Sequence, residues 1–536
     1  MPSHRRNYLL IPLFIAICSL AAGLLTSPGV KAASAGDDPI NQSLKAFTKV
    51  YDVVEQNFAD PVKADKAIYK GAIPGMLHEL DPHSNFFDPK DYKALREDQQ
   101  GHYFGVGMSV QGHNGKTVVL APFAGSPAYR AGIRPGDVII SVNDKKTDNM
   151  TTVEIADLLK GPKGTPVQVV VMREGSDTPI TFNIIRDEIP RYSVPDSFWL
   201  KNGIAYLKIE QFNENTSKEM NEKLAKLGEK EVRGLVLDLR DNPGGLLNEG
   251  VDVASHFLKR NEVVVSMRGR IRDSNKTYTA RTDNSARDYP VVVVVNRFTA
   301  SAAEIVSGAL QDHDRAWILG ETTFGKGLVQ TVFPLSNDTG LALTSAHYYT
   351  PSGRLIQRDY SNISFLDYYS HTNLEQKNAQ DVKMTDSGRT VYGGGGITPD
   401  EKYETPKANP FQIAVIRKYA IYNFAAKFFG SRKDAKLPKG WEPDDKLVGE
   451  FHDFLSKNGV DFTEQQFNEN RDWVRKELKR EFYITAFGVD ESRKVAIEQD
   501  PEIAKAIDSL PKAKALVDNA KKLMVQRFTQ QDRAAR

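Results

Sequence analysis

Apolar residues recur at helical spacing over 41–96, with Leu44, Phe47, Val50, Tyr51 and Val54 on one stripe. Pro61, Pro74, Pro82 and Pro89 cut this stretch, which predicts short helices and a small helical domain over 40–98. Over 101–187 the pattern shortens to β-type runs, VGMSV, KTVVLA, DVIISVN and VQVVVMR, separated by Gly and Pro turns. One helix, 151–159, interrupts them, so 99–188 reads as a β-rich module. Over 203–320 strands (IAYLKIE, GLVLDLR, VVVSM, PVVVVVN, AWILG) alternate with helices, which predicts a mostly parallel sheet covered on its faces. LVQTVFPL and LALTSAHYYT then predict a hairpin turning at Asn337-Asp338. Residues 359–396 are polar, end in four glycines and predict a loop insertion. From 406 onward apolar residues return to helical spacing, with fraying expected after Met524.

A chain of 536 residues exceeds one core and implies three or four domains. Lys and Arg number 71 against 69 Asp and Glu, and a net charge of +2 gives no pull toward nucleic acid. The first residues stand apart. Arg5 and Arg6 precede an apolar run over 8–25, and Ala33-Ser34-Ala35 offers a cleavage site. This predicts a secretory signal over 1–35, or an uncleaved anchor in the inner membrane. Both place the protein outside the cytoplasm, in the periplasm or cell envelope. The single cysteine, Cys18, lies in this segment, so the mature chain is expected to have no disulfide, thiol nucleophile or thiolate metal site.

The stretch GETTFGKGLVQ resembles a phosphate-binding loop but lacks its parts. Such a loop needs Ser or Thr after the lysine and must open a helix. Here Gly327 follows Lys326, and a β-type run stopped by Pro334 comes next. A lysine can instead serve as a base. Its pKa of about 10.4 must first be lowered by burial, and it can then activate a hydroxyl. Ser301 is the candidate hydroxyl. It follows the five-valine run and opens a helix, at the edge of a parallel sheet where sites are built. The helix start offers free N–H groups, Ala302 among them, to a developing oxyanion. The turn Asp241-Asn242-Pro243-Gly244-Gly245 falls at the same edge, so Gly244 or Gly245 can supply a second donor. Gln330, four residues after Lys326, can accept from the amine and hold it. Each residue also has a plainer reading. Ser301 with Glu304 is a capping box, Lys326 a solvated lysine, NPGG an ordinary turn, and Gln330 a polar residue on a half-buried strand. Their coincidence at one sheet edge favours chemistry.

LVLDLRDNPGGLL, TASAAEI and FGKGLVQ, in this order, resemble the carboxy-terminal processing (tail-specific) serine proteases, serine peptidase family 41. LDPHSNFF, YYTPSGRLIQ and GGITPD are also similar to that family. The resemblance implies a ClpP/crotonase-like parallel-sheet core over 189–358 plus 397–405, with Ser301 as nucleophile, Lys326 as general base and Gln330 orienting the lysine. Gly244 or Gly245 with Ala302 would form the oxyanion hole. The module at 99–188 resembles a PDZ domain, most clearly in GSPAYRAGIRPGDVIISVN. Tyr103, Phe104, Gly105, Val106 and Gly107 then correspond to its carboxylate-binding loop, which cradles a terminal carboxylate while the peptide adds a strand. Lys160 stands where relatives often carry Arg. The implied partners are proteins with apolar C-terminal tails, and no metal or cofactor is required.

Two departures from the family are the forty residues between GRLIQ and GITPD and the helical tail over 406–536, a surface for self-association, for covering the PDZ module or for an adaptor. A triad protease is the rival enzyme. His83, His313 and His347 are present, but no GNSGG or G-x-S-x-G setting and no H-E-x-x-H occurs, and His83 reads as a turn residue. The rival of another class is a catalytically silent PDZ scaffold that binds tails.

Overall fold

The computed structural model describes residues 39–534, save 114, 282–286, 362–364, 371–377 and 432–436. The expected signal or anchor over 1–35 lies outside them. The chain forms two compact units, Met1–Ile73 and Pro74–Arg536. In the first, helix α1 (Pro39–Asn57) carries the predicted stripe, and its Leu44, Phe47, Val50 and Val54 are exposed. No helix among the described residues is long and apolar enough to cross a membrane.

The helical domain expected over 40–98 therefore divides at Ile73. The cause lies in LDPHSNFF. The Asp81 carboxylate accepts from the N–H groups of His83 and Ser84, both at 2.8 Å, and closes a turn. Asn85–Phe87 then leaves that turn as a strand paired with Gly340–Tyr349 of the larger unit. Helix α2 (Pro89–Gln100), capped by Asp88 and ended by Gly101 at φ +74°, leads into the β-rich module.

That module is an antiparallel sheet of β1 (Met108–His113), β2 (Lys116–Pro122), β3 (Val138–Val142), β4 (Pro166–Met172) and β5 (Ile180–Ile185), in this spatial order with β1 at an edge. Helix α3 (Thr152–Leu159) starts at a Thr151/Glu154 capping box and turns Ile155 and Leu159 into the module's core.

The second sheet places the site. Its order is β6 (Ser197–Lys201), β7 (Ile204–Lys208), β8 (Gly234–Asp238), β9 (Val291–Val295), β10 (Trp317–Gly320) and β13 (Glu401–Lys402). Only the β6–β7 pair is antiparallel. The five valines of β9 are all buried because both faces are covered. Val291, Val293 and Val295 meet helices α4 (Leu247–Ser255) and α5 (Ala302–Asp312). Val292 and Val294 face the other way. β11 (Leu328–Pro334) and β12 (Gly340–Tyr349) form the predicted hairpin, with Asn337 and Asp338 at φ +59° and +55°.

Residues 359–396, expected as a loop, contain helix α6 (Phe365–Ser370) and a hairpin of Asn378–Met384 with Thr390–Gly393. Its signal is short: VKM and TVY around the turn residues Asp386-Ser387-Gly388. Helices over 410–487 enclose a separate core of Phe411, Phe424, Phe451, Phe467 and Phe482. Helix α7 (Pro501–Ala534) continues past the point where fraying was expected. Its Ile503, Ala506, Leu510 and Ala513 cover Val292 and Val294 together with Tyr206, Val236 and Leu319. Leu510 lies so close over Gly234 that a Cβ there would come within 3.0 Å of it. Leu510→Ala should lower stability by about 2–4 kcal/mol, read as a drop in the urea midpoint at unchanged slope. An unmoved midpoint would show that the sheet does not depend on this helix.

Candidate active site

Three turns meet at the C-terminal ends of the parallel strands: 239–246 after β8, 296–301 after β9 and 321–327 after β10. In open α/β sheets this edge is where ligands bind.

Ser301 sits on the second turn, half-buried, at φ +54° and ψ −116°. Positive φ is uncommon for a residue with a side chain and costs on the order of 1–3 kcal/mol, so the surrounding contacts must hold it. Glu304 does much of that holding. Its side chain is fully buried, and four donors converge on it. Oε1 accepts from Thr323 Oγ1 (2.5 Å) and Gly325 N–H (2.7 Å). Oε2 accepts from Ser301 N–H (2.8 Å) and Lys326 N–H (2.9 Å). The capping glutamate of the sequence is thus also a staple: two residues 25 apart in the chain lie within two hydrogen-bond lengths of each other. Burial pushes its carboxyl above the usual range although all four donors pull it down. A second staple closes on the carbonyl side. Buried Tyr348 Oη donates to the Ser301 carbonyl (3.1 Å) and lies against the Lys326 carbonyl.

Lys326 has its amine pKa lowered by burial, with the charges of Glu304 and Asp81 pulling the other way. Among the described residues no hydrogen bond joins this amine to the Ser301 hydroxyl or to Gln330, and no carboxylate pairs with it. Gln330 lies on β11 with its amide nitrogen donating to Thr344 Oγ1 (3.0 Å), which leaves its oxygen for the amine.

Of the two glycine donors expected as alternatives, one is engaged within the turn. Gly244 N–H donates to Asn242 Oδ1 (2.8 Å) within the turn. The N–H groups of Gly245 and Ala302 have no acceptor among the described residues, and they are the pair open to an oxyanion. Gly244 is needed for shape. At φ +95°, a Cβ on it would lie 2.6 Å from Ser301 Cβ and 2.9 Å from Ala302 N. The turn is anchored from below. Arg240 bonds Asp238 (2.7 Å) and reaches Asp500 (2.7 Å) and Glu502 (2.8 Å) at the start of α7. Burial pushes the Glu502 carboxyl up to about 7 despite Arg240.

His83 is a turn residue by its backbone, as expected, but its side chain enters the site. Its ring packs against Tyr368, Tyr369 and Phe324, with centroids 5.4, 5.9 and 6.2 Å away. Burial, then the charge of Lys326, pushes its pKa down to about 3. His313 is engaged elsewhere, by Asp386 and the Val263 carbonyl, and His347 lies on β12. No histidine bonds Ser301 among the described residues.

In the β-rich module a groove opens between edge strand β1 and α3, lined by Tyr103, Val106, Gly107, Met108, Ala156 and Leu159. The N–H groups of Val106 and Gly107 have no acceptor among the described residues, which suits a carboxylate. Tyr103, Phe104 and Gly105 are also paired in a ladder with Ile189, Glu188 and Asp187, and of the three Tyr103 lines the groove. Lys160 holds its ammonium 5.4 Å from the Tyr103 ring.

A strained serine at a helix start, a partly dehydrated lysine stapled beside it and two free N–H groups are the equipment of a serine-type peptidase. Residues 203–362 match peptidase family S41 and residues 118–173 match a PDZ domain. The chain is 37% identical over 320 residues to the carboxy-terminal-processing protease of Bartonella bacilliformis, covering 59% of this chain and 73% of that one. It is 31% identical over 362 residues to the carboxy-terminal processing protease CtpB of Bacillus subtilis, covering 66% and 75%. With the carboxyl-terminal-processing protease of a Synechocystis species it shares 37% identity over 286 residues, 52% and 66% of the two chains. The chain belongs to peptidase family S41 and is a serine-type peptidase of the carboxy-terminal processing kind, with a PDZ domain.

Proposed function

We propose that this peptidase cuts proteins near their C-termini after its PDZ domain has taken hold of an apolar tail, with Ser301 as nucleophile and neutral Lys326 as general base. The tail's carboxylate sits on the Val106 and Gly107 N–H groups, its last side chain enters the groove, and its backbone extends β1. Upstream residues pass the serine as an extended strand. Lys326 takes the Ser301 proton, Oγ attacks the peptide carbonyl, and the oxyanion forms between Gly245 and Ala302 N–H. Lys326 then gives that proton to the departing amine. A water, deprotonated by the same lysine, releases the acid product and restores the hydroxyl.

The observation that carries this reading is the shared Glu304 Oε2, which sets the Ser301 and Lys326 backbones side by side. The hydroxyl–amine hydrogen bond is not formed in this structure. Catalytic contacts commonly tighten only with substrate bound.

The test is the pH profile of cleavage of an unfolded protein bearing an apolar C-terminal tail. A base must be uncharged, and burial holds this lysine below its ordinary value of about 10.4, so kcat/KM should rise with pH through the lowered pKa and level off. The same protein ending in Asp residues should be cut more slowly at every pH. A flat profile from about pH 6 to 10 would remove Lys326 from the mechanism.

A further inference from the structure

Two consecutive tyrosines on α6, in the segment that separates GRLIQ from GITPD, reach the catalytic turns. Tyr368 is 1% exposed. It forms one apolar cluster with Ala300, the residue before Ser301, and Phe324, two residues before Lys326. The Arg358 guanidinium lies over both rings, 4.5 Å from Tyr368 and 4.7 Å from Phe324.

The hydroxyl protons can be placed by counting donors. Tyr369 Oη donates to the Pro82 carbonyl (2.9 Å), so it must accept from His83 Nδ1–H (3.2 Å). His83 Nε2 then has no proton and accepts from Tyr368 Oη (2.9 Å). Tyr368 Oη in turn accepts from Gln357 Nε2 (3.2 Å). Gln357 Oε1 takes the N–H of Gly327 (2.8 Å), the residue after Lys326. The chain of bonds runs from α6 through a neutral histidine and a glutamine to the backbone of the lysine.

We infer that the segment over 359–396 is a working part of the catalytic site: Tyr368, with Tyr369, holds His83 as a neutral aromatic wall beside Lys326 and keeps water from the lysine, which makes Tyr368 a positioning residue for the general base. This rests on the Ser301–Lys326 reading above. The groups that bear on the lysine's charge are Glu304 and Asp81, which favour its protonated form, and its own burial, which opposes it. Around His83 stand Lys326, Arg358 and Asp81. Opening the wall rehydrates the lysine and raises its pKa, so the rising limb of activity moves to higher pH. His83 also moves up, but above about pH 7 an ordinary histidine is already mostly neutral, so the lysine dominates the profile there.

The experiment measures kcat/KM from about pH 6 to 10 for the full chain, Tyr368→Ala and Tyr368→Phe. The alanine variant should shift the limb upward by about one unit, a tenfold loss on the slope that is regained at the plateau. The phenylalanine variant keeps the ring but loses the bonds to His83 and Gln357, so its limb should move the same way by less than the alanine variant's. An alanine variant that is slowed equally at every pH, or not at all, overturns the inference while leaving the reaction intact. A wild type with no rising limb overturns the Ser301–Lys326 reading, and this with it. A readout that needs no folded variant of Tyr368 is the ¹⁵N-histidine spectrum of the wild type near neutral pH. His83 should carry its proton on Nδ1; a proton on Nε2, or on both nitrogens, overturns the inference.

Discussion

Lys326→Arg should stop turnover, with a loss of about 10⁴-fold or more, and Lys326→Ala should do the same. Arginine keeps the positive charge and much of the length but does not give up its proton in a protein, so no base remains for the Ser301 hydroxyl. Ser301→Ala should be equally inactive for the complementary reason. All three variants should still bind a fluorescent apolar-tailed peptide with wild-type affinity, because the groove between β1 and α3 shares no residue with the catalytic turns. Binding without cutting separates a peptidase from a PDZ scaffold. A Ser301→Ala protein that still cleaves would end the assignment, whatever the lysine does.

Glu304→Ala should be the most damaging change among residues that touch neither the substrate carbonyl nor the transferred proton. It takes the acceptor from Thr323 Oγ1 and from three backbone N–H groups in a buried site. A buried donor without an acceptor costs about 1–3 kcal/mol, and water entering the cavity recovers part of that, so a net loss of about 2–5 kcal/mol is expected. The Ser301 and Lys326 backbones would then keep only Tyr348 in common. Misplacement on the scale of 1 Å costs on the order of 100-fold, so kcat should fall by about 10²–10³ while tail binding holds. Thermal melting and single-turnover cleavage check the two halves. A variant with a normal melt and normal kcat would show that the serine and lysine are held by something other than this carboxylate.

Glu304 also marks the limit of sequence reading. S-x-x-E before a helix announces a capping box, and the structure has one, with the carboxylate taking the Ser301 N–H. What the spacing does not show is that its remaining acceptor capacity faces a turn twenty residues on. The parallel sheet was legible because five consecutive valines flanked by turns have few other destinations, and the Asn337-Asp338 hairpin because its turn chemistry is local. Ser301, Lys326 and the glycine turn could be placed at one edge from strand order alone. Tyr348, Gln357, His83 and Tyr368 could not, since each enters the site from a segment whose local pattern records only its own strand, turn or helix. The carboxylate loop shows the same limit: Tyr103, Val106 and Gly107 line the groove, but the loop's local pattern does not show that Tyr103, Phe104 and Gly105 pair with a strand eighty residues on. The helix and hairpin within 359–396 were hidden by a polar composition that serves equally for a loop.

The hold of Arg240 on Asp500 and Glu502 bears on how the enzyme comes into being. A ribosome releases Ser301 and Lys326 long before it releases Pro501–Ala534. Until that helix arrives, the glycine turn lacks its lower anchor and one face of the sheet stands bare. A nascent chain at that stage carries the proposed nucleophile and base, but the glycine turn beside them is not yet held by Asp500 and Glu502.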